Sequence, residues 1–174
     1  MNLKGKVSII TGGGSGIGRA TAIALANKGS KVCIVGRTPS KLIDVLAEVK
    51  LNKGEGITIE ADVTNYRSIE NVVNKVNEEW GRIDILVTNT GGPPTGQFEE
   101  FDLNDWEKVF NHLFLSATDI IKRVLPSMKK NGYGRILTIT SMAVKQPIET
   151  LITSNAIRTG LVGFVKSLSN EVAM

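Results

Sequence analysis

The fold is decided by the stretch Thr11-Gly12-Gly13-Gly14-Ser15-Gly16-Ile17-Gly18, which follows a β-branched run and opens a helical pattern. Glycines at such a strand-to-helix junction allow a tight turn and let the backbone approach a pyrophosphate. The exposed N–H groups and the helix dipole then favour phosphate. The alternative is a turn that needs glycine only for its backbone geometry. We predict a dinucleotide-binding loop with cofactor contacts at Gly12, Gly14, Ser15, Gly16, Ile17 and Gly18.

The end of the second predicted strand, Gly36-Arg37-Thr38, distinguishes between the two common dinucleotides. NAD sites commonly place an acidic residue about 20 residues beyond the glycine loop, where it binds the ribose 2′-hydroxyl. No Asp or Glu lies between Gly18 and Asp44 in this sequence. A carboxylate would repel a 2′-phosphate, whereas a guanidinium would bind it. The pattern favours NADP(H) over NAD(H), with Arg37 and Thr38 at the phosphate. The alternative is that Arg37 is a solvated loop charge.

Short β-branched runs alternate with longer helical patterns along the whole chain. Near-continuous apolar runs are typical of parallel strands that are covered on both faces. The predicted strands are residues 6–11, 31–36, 56–61, 83–89 and 134–140. The predicted helices are residues 16–29, 39–52, 65–80, 103–129 and 150–173. This alternation predicts a single dinucleotide-binding domain over residues 1–174, of the α/β class, with a doubly wound parallel sheet (a Rossmann fold).

The composition is that of a soluble globular protein and excludes several function classes. The 174 residues carry a net charge of +4, with 41% hydrophobic and 22% charged residues, which is ordinary for one globular domain. No Lys/Arg block is dense enough for a nucleic-acid arm, and no apolar run approaches the ~20 residues of a membrane span. The single cysteine, Cys33, lies in an apolar run, so we expect a buried core residue and a reducing compartment. Since neither a metal-ligand cluster nor a signal-peptide pattern is found, we expect a cytoplasmic protein without a metal site.

Further motifs resemble those of the short-chain dehydrogenase/reductase family, most closely its branch of 3-oxoacyl-carrier-protein reductases. The glycine loop matches the family's TGxxxGIG, and Thr88-Asn89-Thr90-Gly91 resembles its NNAG. Asp62-Val63 matches the family's acid after the third strand, which implies that the Asp62 carboxylate holds the adenine amino group. The resemblance covers essentially the whole chain, and it implies cofactor contacts at Asp62, Val63, Asn89 and Gly91.

The family's chains are longer than this sequence, which stops where the fifth large helix should be ending. We therefore expect that a C-terminal part is missing from the given sequence. A doubly wound sheet cut at this point leaves a buried strand as an edge, which is unfavourable. The resemblance implies that the missing segments form the substrate lid and carry much of the substrate specificity.

The resemblance also implies a catalytic serine, tyrosine, lysine and asparagine, of which only the serine is found. Ser141 ends the fifth predicted strand, at the carboxyl edge where ligands bind in such sheets. The alternative is a polar strand-end residue that caps the following loop. In the family the tyrosine donates the proton, and its position is occupied here by Ser154. The family's lysine lowers the pKa of the tyrosine and binds the nicotinamide ribose, and its position is occupied here by Arg158. The asparagine, which supports a proton relay, falls on Leu113.

These replacements change the expected chemistry. An aliphatic hydroxyl such as that of Ser154 is a far weaker acid than a phenol, and the Arg158 guanidinium does not act as a base. Arg158 is still able to hydrogen-bond the ribose hydroxyls. As a hypothesis, it binds an anionic group of the substrate instead.

No other residue is predicted to replace the tyrosine. Tyr66 follows the third predicted strand on the adenine side, and Tyr133 precedes the fifth strand at the wrong edge of the sheet. His112 lies next to the asparagine position, but adjacent helix residues point about 100° apart, so we expect a packing or interface role. Lys145 and Glu149 are either residues of the substrate pocket or, more simply, solvated loop charges.

Three interpretations remain open. The first is an NADP(H)-dependent oxidoreductase that acts on a carbonyl or alcohol by hydride transfer with a non-standard proton donor. General acid help contributes typically ~10²–10⁴-fold, so its loss leaves a slow enzyme. The second is a non-catalytic dinucleotide-binding protein with a regulatory or sensing role, and the third is an interaction module whose nucleotide site is a relic. The patterns over residues 103–129 and 150–173 resemble the family's oligomer helices, which predicts a homo-oligomer, either a dimer or a tetramer.

Overall fold

The computed structural model describes residues 2–173, and it contains one parallel sheet. Its strands are β1 (Val7–Ile10), β2 (Lys31–Gly36), β3 (Gly56–Glu60), β4 (Ile85–Thr88) and β5 (Arg135–Thr138). They pair in the order β3-β2-β1-β4-β5. The strand order therefore reverses between β1 and β4, and in such sheets the crevice outside the carboxyl ends at this point binds ligands. The predicted doubly wound α/β fold is confirmed.

The helices lie close to where the apolar spacing predicts them. They are α1 (Gly16–Asn27), α2 (Pro39–Leu51), α3 (Tyr66–Trp80), α4 (Leu103–Phe110), α5 (Ser116–Lys130) and α6 (Ile152–Val172). The start of α2 has Pro39 in its first turn, where proline is favoured. At the end of α3, Gly81 adopts a left-handed conformation with φ of 70°, which stops the helix. None of the helices in the described part of the chain is long and apolar enough to cross a membrane.

The sheet separates two apolar layers. One layer joins the strands to α1 and α2 and includes Ile10, Ala22, Ile34, Val45 and Val87. The other joins them to α3 and α5 and includes Ile9, Cys33, Val72, Leu86 and Ile120. Because neighbouring residues of β1, β2 and β4 point into different layers, these strands are buried on both faces, as their apolar runs predict. The predicted core role of Cys33 is confirmed, since its side chain has no exposed surface and burial raises the pKa of its thiol to about 12.

The strand β5 differs from the prediction. Residues 134–140 were expected to be covered on both faces, but within the described residues Arg135 is exposed and Leu137 keeps 49% of its surface in solvent. Only Ile136 on the opposite face packs against the apolar layer of α3 and α5. The reason is that α1 and α2 lie over the other end of the sheet, where they contact β1, β2 and β3.

The helix predicted over residues 103–129 is interrupted by one wide turn. Residues Asn111–Leu115 form a π-helical turn between α4 and α5. The backbone N–H of Ser116 donates to the Asn111 carbonyl, five residues back. The Ser116 hydroxyl donates to the carbonyl of His112 at 2.6 Å, which satisfies a group that the wide turn leaves out of the α-helical pattern. Such turns are rare and are often found at functional sites.

Candidate nucleotide and active site

Hydrogen bonds fix the glycine loop to the carboxyl end of β4. The Thr11 hydroxyl accepts from the Asn89 N–H at 2.8 Å and donates to the Asn89 carbonyl at 3.0 Å. The Asn89 side-chain amide donates to the Gly12 carbonyl at 3.2 Å. Gly12 has a φ of 59°, and a Cβ at this position would lie 2.6 Å from the Asn89 carbonyl oxygen. A Cβ on Gly18 would collide with the carbonyl oxygen of Gly12. The loop therefore depends on glycine at both positions.

The amino end of α1 has the features of an anion site. Ser15 precedes the helix but makes no side-chain cap, and the first turn contains no acidic residue. The helices α2 and α6 also begin without a side-chain cap, whereas Asn65 caps α3 and Asp102 caps α4 through side-chain hydrogen bonds. The first N–H groups of a helix have no partner within the helix and carry partial positive charge. At α1 they are therefore available to a phosphate.

A cleft of about 380 Å³ lies above the glycine loop, within the range of roughly 300–1,000 Å³ that is usual for cofactor sites. Most of the predicted cofactor residues line it, namely Gly12, Gly14, Ser15, Gly16, Ile17, Arg37, Thr38, Asn89 and Gly91. The sequence did not identify four further lining residues, Gly36, Lys41, Leu42 and Thr90. The lining contains two cations, Arg37 and Lys41, and no carboxylate.

Three predicted cofactor residues do not line this cleft. Gly18 is buried beneath the loop, and Val63 packs partly against the apolar layer of α3 and α5. One oxygen of Asp62, Oδ1, accepts from the Thr64 backbone N–H at 2.8 Å and from the Thr64 hydroxyl at 2.7 Å. These two bonds, assisted by the charge of Arg37, lower the pKa of Asp62. Its Oδ2 accepts no hydrogen bond from the described residues, so the ionised carboxylate has an oxygen available for an amino group.

At the other end of the carboxyl edge, Ser141 caps a loop. Its hydroxyl oxygen accepts from the Ala143 N–H at 3.1 Å and begins a short 3₁₀ turn over Met142–Val144. This is the capping role that the sequence left as the alternative. The hydroxyl proton is still free to donate, because a serine can accept and donate at the same time. Ser141 is therefore able to bind a substrate oxygen from this position.

Ser154 and Arg158 are both buried in α6, with 3% and 6% of their surfaces exposed. Arg158 donates through Nη1 to the Ile139 carbonyl at 3.0 Å and through Nη2 to the Gly91 carbonyl at 3.3 Å. Burial lowers the pKa of Arg158. The guanidinium thus ties α6 to the segments that follow β5 and β4. Two of its five donors serve the backbone, and the other three leave the ribose or substrate contact predicted from sequence as a prediction.

Buried polar atoms without partners are found at the same end. The hydroxyls of Thr88 and Thr138, which are register partners on β4 and β5, have no hydrogen-bond partner among the described residues. The same holds for the Thr153 hydroxyl and the Asn111 side-chain oxygen. Buried polar groups are usually hydrogen-bonded. This part of the molecule therefore has hydrogen-bonding capacity that water or a ligand can use.

The other residues considered as proton donors lie elsewhere. The Tyr66 side chain is exposed at the start of α3. The Tyr133 ring lies beneath the Lys6 ammonium, 3.7 Å from its centroid, at the amino edge of the sheet. Lys145 and Glu149 are exposed, as the solvated-charge interpretation predicts. No cluster of potential metal ligands occurs within residues 2–173.

The wide turn between α4 and α5 places two neighbouring side chains differently. Leu113, at the asparagine position, is buried in an apolar cluster with Val109 and Ile157. His112 points to the segment after β4, since a Cβ on Gly91 would lie 3.9 Å from its Nε2. The sequence indicated only a packing or interface role for His112, because nothing in the local pattern reveals a neighbour so far along the chain.

A model of the short chain dehydrogenase family matches residues 6–174. The chain belongs to this family. It is 34% identical over 173 residues to a 3-oxoacyl-[acyl-carrier-protein] reductase of Escherichia coli, covering 99% of this chain and 70% of that protein. It is 33% identical over 172 residues to the 3-oxoacyl-[acyl-carrier-protein] reductase of Synechocystis, covering 98% of this chain and 70% of that protein.

Solved structures of this family have the same fold. The L-sorbose reductase of Gluconobacter frateurii, in complex with NADPH and L-sorbose, superimposes with a TM-score of 0.95 at 28% identity. The match covers 99% of this chain and 66% of the reductase, so the chain spans just under two thirds of that enzyme. A 7α-hydroxysteroid dehydrogenase in complex with NADH gives a TM-score of 0.94 at 28% identity, over 99% of this chain and 67% of that one. An actinorhodin polyketide ketoreductase with NADPH gives a TM-score of 0.92 at 32% identity, and the match covers 97% of this chain and 65% of the ketoreductase.

Proposed function

We propose that this protein is an NADP(H)-dependent oxidoreductase that transfers hydride to or from a small carbonyl or alcohol substrate. The observation that carries the proposal is the cleft above the glycine loop. It combines an uncapped helix N-terminus with two cations, Arg37 and Lys41, and its lining contains no carboxylate. A dinucleotide with a 2′-phosphate fits this charge pattern better than one with a free 2′-hydroxyl.

The comparisons support a dinucleotide in this cleft but do not choose between the two cofactors. The sorbose reductase and the polyketide ketoreductase were solved with NADPH, and the hydroxysteroid dehydrogenase with NADH. The preference for NADP(H) therefore rests on Arg37 and Lys41. In this proposal Asp62 accepts from the adenine amino group through Oδ2, and Asn89 keeps the loop in shape.

The substrate oxygen binds at Ser141 in this proposal. Bound NADPH supplies the hydride, and the chain provides the place for the carbonyl and the route for the proton. The Ser141 hydroxyl donates to the carbonyl oxygen while its own oxygen accepts from Ala143. Because an aliphatic hydroxyl is a weak acid, the proton comes from a water held by Ser141 and Ser154. The enzyme is then slower than one with a phenol, by up to about 10²–10⁴-fold.

A non-catalytic nucleotide-binding protein is the second candidate, and one observation favours it. The Arg158 guanidinium binds two backbone carbonyls, so it serves the structure of the site in the position where the family resemblance implies a lysine beside the cofactor. Leu113 is packed in an apolar cluster and relays no proton. Both observations leave the nucleotide cleft intact, so this candidate differs from the first only in turnover.

The cofactor is tested by calorimetry with NADPH and NADH on the wild type and on Arg37→Asp. We expect the wild type to bind NADPH more tightly than NADH. The substitution should lower the affinity for NADPH by about 10–100-fold and change the affinity for NADH little, because a charged hydrogen bond is replaced by repulsion. The matched control is Arg67→Asp, which makes the same change of charge at an exposed position of α3. If Arg37→Asp lowered the affinities for NADPH and NADH equally, Arg37 would not bind the 2′-phosphate and the proposed preference for NADP(H) would be wrong.

Turnover is tested next, by following NADPH oxidation with a panel of ketones and aldehydes. Steady oxidation that falls at least 10-fold in Ser141→Ala supports the oxidoreductase. Tight NADPH binding without oxidation of any carbonyl in the panel favours the non-catalytic candidate. The absence of binding by either nucleotide contradicts both candidates.

A further inference from the structure

His112 is the one histidine of the sequence, and the proposed chemistry does not use it. It lies in the wide turn Asn111–Leu115, whose geometry is held by the Ser116 hydroxyl on the His112 carbonyl. The side chain is half-buried and its Nε2 approaches Gly91, which lines the nucleotide cleft. The imidazole therefore lies beside the cleft on the side formed by the segment after β4.

The imidazole lies beside Gly91, which lines the cleft together with Arg37 and Lys41 and without Ser141 or Ser154. The charges of Arg37 and Asp62 both act on His112, and the charge of His112 acts in turn on Asp62. Arg37 and Asp62 belong to different loops, after β2 and after β3, and both are assigned above to the adenosine end of the dinucleotide. The lining that Gly91 shares with Arg37 and the effect of these charges therefore both favour the adenosine end.

We propose that His112, which lies beside Gly91 at the edge of the nucleotide cleft, contacts the adenosine half of the bound dinucleotide, a role that rests on the proposed binding of NADP(H). A half-buried aromatic ring beside Gly91 offers a surface on which the base can stack. An imidazole in its neutral form also provides one donor and one acceptor for hydrogen bonds.

Burial and the charges of two arginines favour this neutral form. Burial lowers its pKa first, and the charges of Arg37 and of Arg158 on α6 lower it further. The carboxylate of Asp62 and the carbonyl of Gly91 act in the opposite direction, but the net effect is a pKa below its ordinary value. A neutral ring gives the cleft an aromatic contact without a third cation.

Because the chain has a single imidazole, its NMR signals in the untagged protein need no assignment. The probes are 2′,5′-ADP, which carries the adenosine half, and nicotinamide mononucleotide, which carries the other half. We expect saturable shifts of the ring signals with 2′,5′-ADP and none with nicotinamide mononucleotide. Signals that stay in place while calorimetry shows NADPH binding would overturn the role of His112 and leave the proposed function standing.

A second measurement uses calorimetry with 2′,5′-ADP, NADPH and NADH. His112→Ala removes the ring that stacks on the base, so we expect the affinity for each of the three ligands to fall by about 10-fold. The ratio of the affinities for NADPH and NADH should therefore stay constant. His112→Phe keeps a ring and is expected to retain affinity within about threefold of wild type. Lys108→Ala, at an exposed position of α4, is the control. Unchanged affinities in His112→Ala overturn the inference, whereas a wild type that binds neither nucleotide overturns the proposed function itself.

Discussion

The two ends of the sheet's carboxyl edge are built in different ways. At the glycine loop, between β1 and α1, the shape of the site comes from backbone atoms, and Thr11 and Asn89 hold that backbone in place. At the far end, beside β5 and α6, the candidate site consists of side chains, namely Ser141, Ser154 and Arg158. There several buried hydroxyls have no partner among the described residues.

This difference separates binding from chemistry. A phosphate cradle made of N–H groups needs glycine and a helix N-terminus, and both are present. A proton donor needs one side chain of the right acidity, and the positions where the family resemblance implies a tyrosine and a lysine hold Ser154 and Arg158. The nucleotide end is therefore expected to keep its function whatever happens at the other end, and variants can test each end alone.

The largest effect is expected from Gly18→Ala. The added Cβ would collide with the Gly12 carbonyl oxygen, so the loop must move away from the helix N-terminus. Losing several phosphate hydrogen bonds to N–H groups corresponds to a loss of NADPH affinity of about 100-fold or more, measured by calorimetry.

Gly163→Ala is the matched control. Gly163 lies inside α6, and a Cβ there would meet no atom within 4 Å. Alanine should stabilise the helix by about 0.5–1 kcal/mol in urea unfolding, with NADPH affinity unchanged. If Gly18→Ala bound NADPH like wild type, the nucleotide end would not depend on its backbone shape and the comparison would fail.

The next effect concerns the far end, where Arg158→Met keeps most of the side-chain volume but removes both hydrogen bonds. The carbonyls of Ile139 and Gly91 then lose a charged donor. Leaving buried acceptors unsatisfied costs about 1–3 kcal/mol, so we expect the free energy of unfolding in urea to fall by about 2–3 kcal/mol. Affinity for 2′,5′-ADP should change less than threefold.

Arg158→Lys tests whether the clamp needs the planar guanidinium. A single ammonium cannot span both carbonyls in the same fork geometry, so about half of the stability loss is expected to remain. An Arg158→Met variant as stable as wild type would mean that the guanidinium is free to serve a ligand. In that case the hypothesis of an anionic substrate group would gain support.

The elements that sequence predicts well here are those with a local signal. The helices α1, α2 and α3 follow the apolar spacing, and the cleft around Arg37 follows from the glycine loop and the residue type after β2. The strands β1, β2 and β4 are continuous apolar runs and are buried as predicted.

The features that sequence missed depend on residues far apart in the chain. Arg158 contacts the carbonyl of Gly91, 67 residues away, and His112 also reaches Gly91 from another element. No periodic pattern encodes such a pair. The wide turn at Asn111–Leu115 was missed because the apolar spacing on both of its sides is that of one helix. Lys41 was missed because a lysine in the first turns of α2 looks like any solvated charge.

The smallest effect is expected at the adenosine end and depends on pH. The backbone N–H and then the hydroxyl of Thr64 lower the pKa of Asp62, so the folded state binds its proton less readily than the unfolded state. The resulting stabilisation is fully present above the unfolded pKa, near 3.8, and is lost as the pH falls through the lower folded pKa. Asp62→Asn removes this pH-dependent stabilisation. It should lower the free energy of unfolding by about 1 kcal/mol at pH 6, because hydrogen bonds to a charged oxygen become hydrogen bonds to a neutral one.

Urea unfolding of wild type and Asp62→Asn between pH 6 and pH 3 measures this effect. The difference between their free energies of unfolding should shrink below about pH 4. Thr64→Val removes the hydroxyl donor and leaves the backbone donor, so it should abolish only part of the pH-dependent stabilisation. A difference between wild type and Asp62→Asn that is the same at every pH would show that the Thr64 contacts do not depend on the charge of Asp62. Thr64 would then only orient the carboxylate towards the adenine amino group, and the negative charge at the adenosine end would be that of an ordinary aspartate.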